Sequence, residues 1–134
     1  MATVEDVRRI ALALPGVTER VNGHTGEAAW RAARGDLAWL RGPSGRDLEQ
    51  LAELGRSWPD GEVLGLRVGS TEDAAALLDA EPAIFFTIPH FDGYPAVLVR
   101  LAEIDPDYLS DVLLDAWLTR VPQRVAKAWL AERG

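Results

Sequence analysis

Apolar residues in the first fourteen positions recur at helical spacing: Val4, Val7, Ile10, Ala11 and Leu14. Thr3 stands where an N-cap belongs, with Asp6 three residues on, and Pro15-Gly16 closes the segment. The period then changes. After a polar link, Ala28 to Ala33 and Asp36 to Arg41 alternate on either side of Arg34-Gly35, which predicts a hairpin with a two-residue turn. In that register Trp30 faces Trp39, Ala32 faces Leu37, and Arg31 shares the opposite face with Ala38.

Residues 42 to 62 form a polar excursion with a helix from about Arg46 to Leu54. EVLGLRV, from Glu62 to Val68, is the next strand, and Ser70 or Thr71 caps a short helix through Asp79. Ala83 to Thr87 and Pro95 to Leu101 are compact apolar strands. Asp105-Pro106 starts a helix with Tyr108, Leu109, Val112, Leu113, Ala116 and Trp117 on one broad face. Pro122 interrupts it, and a last amphipathic helix turns Val125, Ala128 and Trp129 inward. Consecutive strands joined by short links favour an antiparallel sheet. The expected architecture is a single α+β domain over residues 1–134, its helices packed on one face of the sheet. The other face is left for solvent or a partner.

Composition adds few constraints. Hydrophobic residues make up 48% and charged residues 26%, which argues for a globular core rather than disorder. With no cysteine, neither a disulfide, a thiolate metal site nor a cysteine nucleophile is available. No apolar run approaches the roughly 20 residues needed to span a bilayer. Glu5, Asp6, Arg8 and Arg9 lie where a signal peptide would be apolar. A cytoplasmic protein without a membrane partner is the expectation.

Charge is uneven along the chain. The total is −7, yet residues 68–116 hold ten acids against Arg100 alone, whereas residues 117–134 hold Glu132 against Arg120, Arg124, Lys127 and Arg133. An acidic band and a basic end therefore share one molecule. The net charge and a pI of 4.8 oppose non-specific nucleic-acid binding unless basic residues gather locally. Two groups can do so: Arg31, Arg34 and Arg41 beside the hairpin, and Arg120, Arg124 and Lys127 at helical intervals around Pro122. Solvated surface residues that complement helix C-termini explain both groups as well.

A second candidate is the loop in FFTIPHFDGYPAVLVRL, residues 85 to 101. His90, Asp92 and Tyr94 place an imidazole, a carboxylate and a phenol between Pro89 and Pro95, a possible small-ligand or anion pocket with Trp117. The alternative is architectural: Asp92-Gly93 turns the chain, His90 bonds to backbone, and Tyr94 packs on the helix of Trp117. Two histidines, His24 and His90, with no third ligand at a useful spacing, argue against a metal. Asp107, Asp111 and Asp115 share a helix face, a row that serves solubility or weak hard-cation binding. No phosphate-binding glycine loop, nucleophile elbow or ligand cluster is present, so neither enzyme activity nor a cofactor is expected.

ALALPGVTE at 11 to 19, EVLGLRV at 62 to 68, FFTIPHFDGYPAVLVRL at 85 to 101 and DAWLTRVPQR at 115 to 124 resemble the MmcQ/YjbR family. The match runs nearly end to end in the expected order. The resemblance implies a CyaY-like α/β sandwich and a DNA-binding role, and it brings no catalytic residues with it. That fold also invites comparison with frataxins, whose acidic surfaces the resemblance associates with iron. One departure stands out: Asp36 follows the turn glycine where relatives of that family often carry Lys or Arg. A non-catalytic DNA-binding domain is the leading expectation. The alternatives are a small-ligand or anion-binding module, or a protein-interaction module that is monomeric or pairs with itself through the open sheet face.

Overall fold

The computed structural model describes residues 1–133. The first helix, α1 (Val4–Leu12), starts at a reciprocal capping box: the Asp6 amide donates to the Thr3 hydroxyl, and the Thr3 amide to the Asp6 carboxylate. It leads into β1 (Thr18–Val21), β2 (Ala28–Ala32), β3 (Gly35–Leu40), α2 (Gly45–Glu53) and β4 (Val63–Arg67). Then follow α3 (Thr71–Ala80), β5 (Phe85–Phe86), β6 (Ala96–Arg100), α4 (Pro106–Thr119) and α5 (Gln123–Arg133). The six strands form one sheet in the order β1-β2-β3-β4-β6-β5, every pairing antiparallel. The molecule is an α+β protein, as the order of elements predicts.

One face of the sheet carries the main core. Leu64 and Leu66 of β4 and Val97 and Val99 of β6 meet Val7, Ile10 and Ala11 of α1 and the apolar side of α4, with Trp30 and Trp117 both fully buried. Val125, Ala126 and Trp129 of α5 pack against that core, so Ala126, rather than the exposed Ala128, is the inward alanine. The second face is not free of helix, contrary to expectation. Leu51 of α2 is fully buried there among Val63, Phe86, Ile88, Phe91, Ala96 and Leu98. This cover reaches across β4, β6 and β5 and leaves the β1-β2-β3 half of that face open.

Two strands differ from the sequence reading. Residues 18–21 form a strand rather than a polar link, because the exposed sequence TERV pairs with β2 from Thr18↔Arg31 to Val21↔Ala28. Tertiary pairing decides this element, not its own hydrophobic pattern. Of Ala83 to Thr87, only Phe85–Phe86 is strand.

The hairpin register also differs. Its ends pair Ala32↔Gly35 and Arg31↔Asp36, but further along Trp30 lies opposite Ala38, and Ala29 opposite Trp39. The register shifts between Trp30 and Arg31, so β3 holds one residue more than β2, a β-bulge. Leu37 and Ala38, adjacent in sequence, are both fully buried in the main core. Trp39 therefore points to the second face, away from Trp30.

Candidate binding surface

Trp39 lies flat on the backbone of β4. The position opposite it is Gly65, where an ideal Cβ would come within 2.3 Å of the indole. Glycine is required here by close approach, and its placement in the middle of a strand was the sequence signal for it. Above this floor the open half of the second face forms a groove of about 350 Å³. Arg20, Asp36 and Ala29 line its strand side, and His90 and Tyr94 line the opposite rim. Arg20 Nη2 donates to Asp36 Oδ2 at 2.9 Å, so the acid that follows the turn glycine is neutralised by β1.

The loop between β5 and β6 does not gather its polar groups. A 3-10 turn over Pro89–Phe91 buries Phe91, while His90 is exposed on the groove side and Asp92 lines a separate surface cavity beside α3. No hydrogen bond joins His90 to Asp92 among the described residues. Tyr94 is 42% exposed and packs against Phe91, with ring centroids 5.8 Å apart, and against the guanidinium of Arg67 at 5.3 Å. It does not pack on α4. Trp117 lies in the main core, where its indole N–H donates to the carbonyl of Pro15 at 3.0 Å. His90, Asp92, Tyr94 and Trp117 therefore do not form one pocket: the sheet separates Trp117 from the loop, and the turn splits His90 from Asp92.

The basic candidates divide differently. Arg41 is used internally. It pairs with the buried Asp47 at 2.9 Å, donates to the carbonyl of Gly42, and lies against the rings of Trp58 and Phe91. Burial alone would raise the Asp47 carboxyl, but contacts with Ser44 and the Arg41 charge outweigh it and hold it below its ordinary value. Arg31 is exposed on β2, opposite Asp36 and Thr18. Arg124 and Lys127 are exposed on α5.

Arg34 and Arg120, far apart in sequence, come together. The Arg34 amide donates to the Arg120 carbonyl at 2.9 Å, and Arg120 Nη1 donates back to the Arg34 carbonyl at 3.2 Å. The hairpin tip and the α4–α5 junction are thus tied to one another. Burial lowers the Arg120 guanidinium from its ordinary value, the Arg67 charge lowers it further and Tyr94 acts in the opposite direction, while Arg34 adds to the lowering. Arg67, at the end of β4, is the functional candidate that the sequence did not reveal. Only its odd-numbered alternation with Val63 and Gly65, which puts it on the second face, pointed to it.

The exposed acids Asp107, Asp111 and Asp115 lie on α4, which packs on the main-core face. Among the described residues, no group of three or more His, Asp or Glu side chains is arranged to hold a metal ion. No helix is long and apolar enough to cross a membrane.

The surface thus defined is a groove on the open half of an antiparallel sheet, floored by the Trp39 ring and bordered by Tyr94, which Arg67 contacts. No family model matches the chain. It is 42% identical over 134 residues to uncharacterized protein Rv2570 of Mycobacterium tuberculosis and to uncharacterized protein Mb2600 of Mycobacterium bovis, with 100% of each chain covered. The chain belongs to one family with these mycobacterial proteins. Its fold is also similar to that of Deinococcus radiodurans protein DR2400, whose crystal structure is described as the domain DUF419. The TM-score is 0.64 at 20% identity, covering 88% of this chain and 78% of that one.

Proposed function

We propose that the chain is a non-catalytic nucleic-acid-binding domain of the MmcQ/YjbR type, with a CyaY-like fold, and that it takes single strands across the open half of its second sheet face. One observation carries this reading: the hydrogen bonds between Arg34 and Arg120 bring an arginine of the hairpin and one from the basic end of the chain together in a small basic patch. Arg67 links that patch to the groove through its contact with Tyr94. A net charge of −7 would repel phosphate from most of the surface, so binding requires such segregation. Asp107 and Asp111 lie on α4, which packs on the main-core face, whereas Asp115 shares a cavity with Arg67. Trp39 and Tyr94 supply aromatic surface on which unstacked bases can rest, a contact a closed duplex does not offer.

Fluorescence anisotropy with labelled oligonucleotides tests the reading. Single-stranded DNA binds more tightly than duplex, and affinity falls steeply as salt rises. Trp39→Ala weakens binding by about 1–3 kcal/mol, the typical contribution of one stacked base. Absence of binding to any strand at low ionic strength rejects the proposal.

A further inference from the structure

The geometry points to Arg34, Arg67 and Arg120 as a seat for a dianionic phosphate, either a monoester or inorganic phosphate. This goes beyond the nucleic-acid reading, because it concerns one doubly charged group and stands whether or not a strand is bound.

Three guanidinium groups come from three separate elements: the hairpin tip, the end of β4 and the C-cap of α4. The Arg120 guanidinium is held on the Arg34 carbonyl, the backbone bond between the two residues brings the exposed Arg34 side chain alongside, and the Tyr94 ring holds Arg67 from one side at 5.3 Å. None of the three makes a salt bridge with a carboxylate among the described residues. Asp36, the nearest acid in sequence to the hairpin tip, is already paired with Arg20. Asp73 and Asp115 line a cavity with Arg67 but form no ion pair with it among the described residues, and like charges held together are costly unless an anion compensates them.

Arg67 supplies an independent sign. Its Nε is buried and finds no acceptor within the protein among the described residues. A buried N–H without an acceptor costs free energy, and a charged one costs more. With no acid paired to Arg67 inside the protein, an oxyanion on the outer nitrogens of its half-buried guanidinium compensates the charge of the cluster. Guanidinium forks match phosphate oxygens in pairs, and several of them favour two negative charges over one.

Isothermal titration calorimetry of the full chain with inorganic phosphate, in a chloride buffer of low ionic strength, tests the seat. Phosphate binds saturably at one site. Arg67→Gln and Arg34→Gln each weaken binding by about tenfold or more, as expected for loss of a charge-assisted hydrogen bond. Arg67→Lys, which keeps the charge without the fork, falls between them and the unsubstituted protein. Arg46→Gln, exposed on α2 and outside the cluster, binds as the unsubstituted protein does. Far-UV circular dichroism confirms that each variant is folded, and Arg34 is the safest site because its side chain makes no hydrogen bond among the described residues. Absence of saturable phosphate binding overturns the proposal, as does unchanged affinity in both glutamine variants.

Two oligonucleotides then identify the source of the phosphate. Tighter binding of a 5′-phosphorylated thymidine oligomer than of its unphosphorylated twin assigns the seat to strand ends. Equal binding of the two, with inorganic phosphate still bound, assigns it to free phosphate esters. If neither oligomer binds while phosphate does, the seat stands and only the nucleic-acid reading falls.

Discussion

Trp30 and Trp39 stand on neighbouring strands of one hairpin and have opposite fates. Trp30 is fully buried in the main core, and its indole N–H donates to Glu19 at 2.8 Å. That carboxylate in turn binds Arg8, and the guanidinium holds it below its ordinary value. Every polar atom of the arrangement has a partner, as a core requires. Trp39 lies on the other face, half-buried against Phe91 and stacked on a bare stretch of backbone at Gly65. The comparison teaches that the two faces use the same residue type for different ends, one for stability and one for surface.

Truncation breaks the comparison most strongly. Trp30→Ala costs about 3–5 kcal/mol, the range for removing a large aromatic from a core. Trp39→Ala costs clearly less, since part of the ring is already in solvent. Urea denaturation of the two variants measures the difference, and equal losses would mean that the faces are equally structural.

Gly65→Ala comes next. A methyl group at this position collides with the indole, so the variant loses about 1–3 kcal/mol, the usual penalty for overpacking. Adding Trp39→Ala restores most of that loss, because the obstruction is gone. A double-mutant cycle gives this coupling directly.

Asp47 sharpens the contrast through pH. Its folded carboxyl lies below the ordinary value, so it contributes stability above the unfolded pKa, and that stability is lost as pH falls through the folded one. Asp47→Ala removes a helix cap and the partner of Arg41, costing about 1–2 kcal/mol at neutral pH. The gap between variant and parent closes as pH falls below about 4.

Asp115 on the main-core side runs the other way and gives the smallest effect. Burial, then Asp111 and Asp73, raise its carboxyl. Its ionisation therefore opposes folding as pH rises past the unfolded value. Asp115→Asn gives a slight rise in Tm at neutral pH, which disappears in acid. A lower Tm at neutral pH would show instead that the carboxylate has a favourable partner.

What the sequence revealed depended on distance along the chain. The caps Thr3, Ser70 and Asp105 are local devices, each acting three residues on, and were readable, whereas Ser44, which caps α2 in the same way, was not singled out. The helices and the strands β4 and β6 followed from them and from apolar periodicity. What escaped were features decided by distant partners. β1 exists because β2 accepts it. The turn over Pro89–Phe91 sends His90 and Asp92 apart, although five residues of loop had suggested a cluster. Arg34 and Arg120 were both candidates, but nothing in their spacing predicts that they share two hydrogen bonds. Arg67 was hidden for the same reason: a strand-end arginine looks ordinary until the fold sets two others beside it.

The extra residue in β3 has one more consequence. On its N-terminal side the even-numbered Asp36 faces outward, and past it the even-numbered Ala38 faces the core. The strand therefore changes phase in its middle, and tolerance to polar substitution should switch from even to odd positions at Leu37. A one-residue deletion there would leave both pairings intact on either side while removing a side chain from the core. In this strand length and parity are separately adjustable, so the interior can be repacked without turning Trp39 away from the groove.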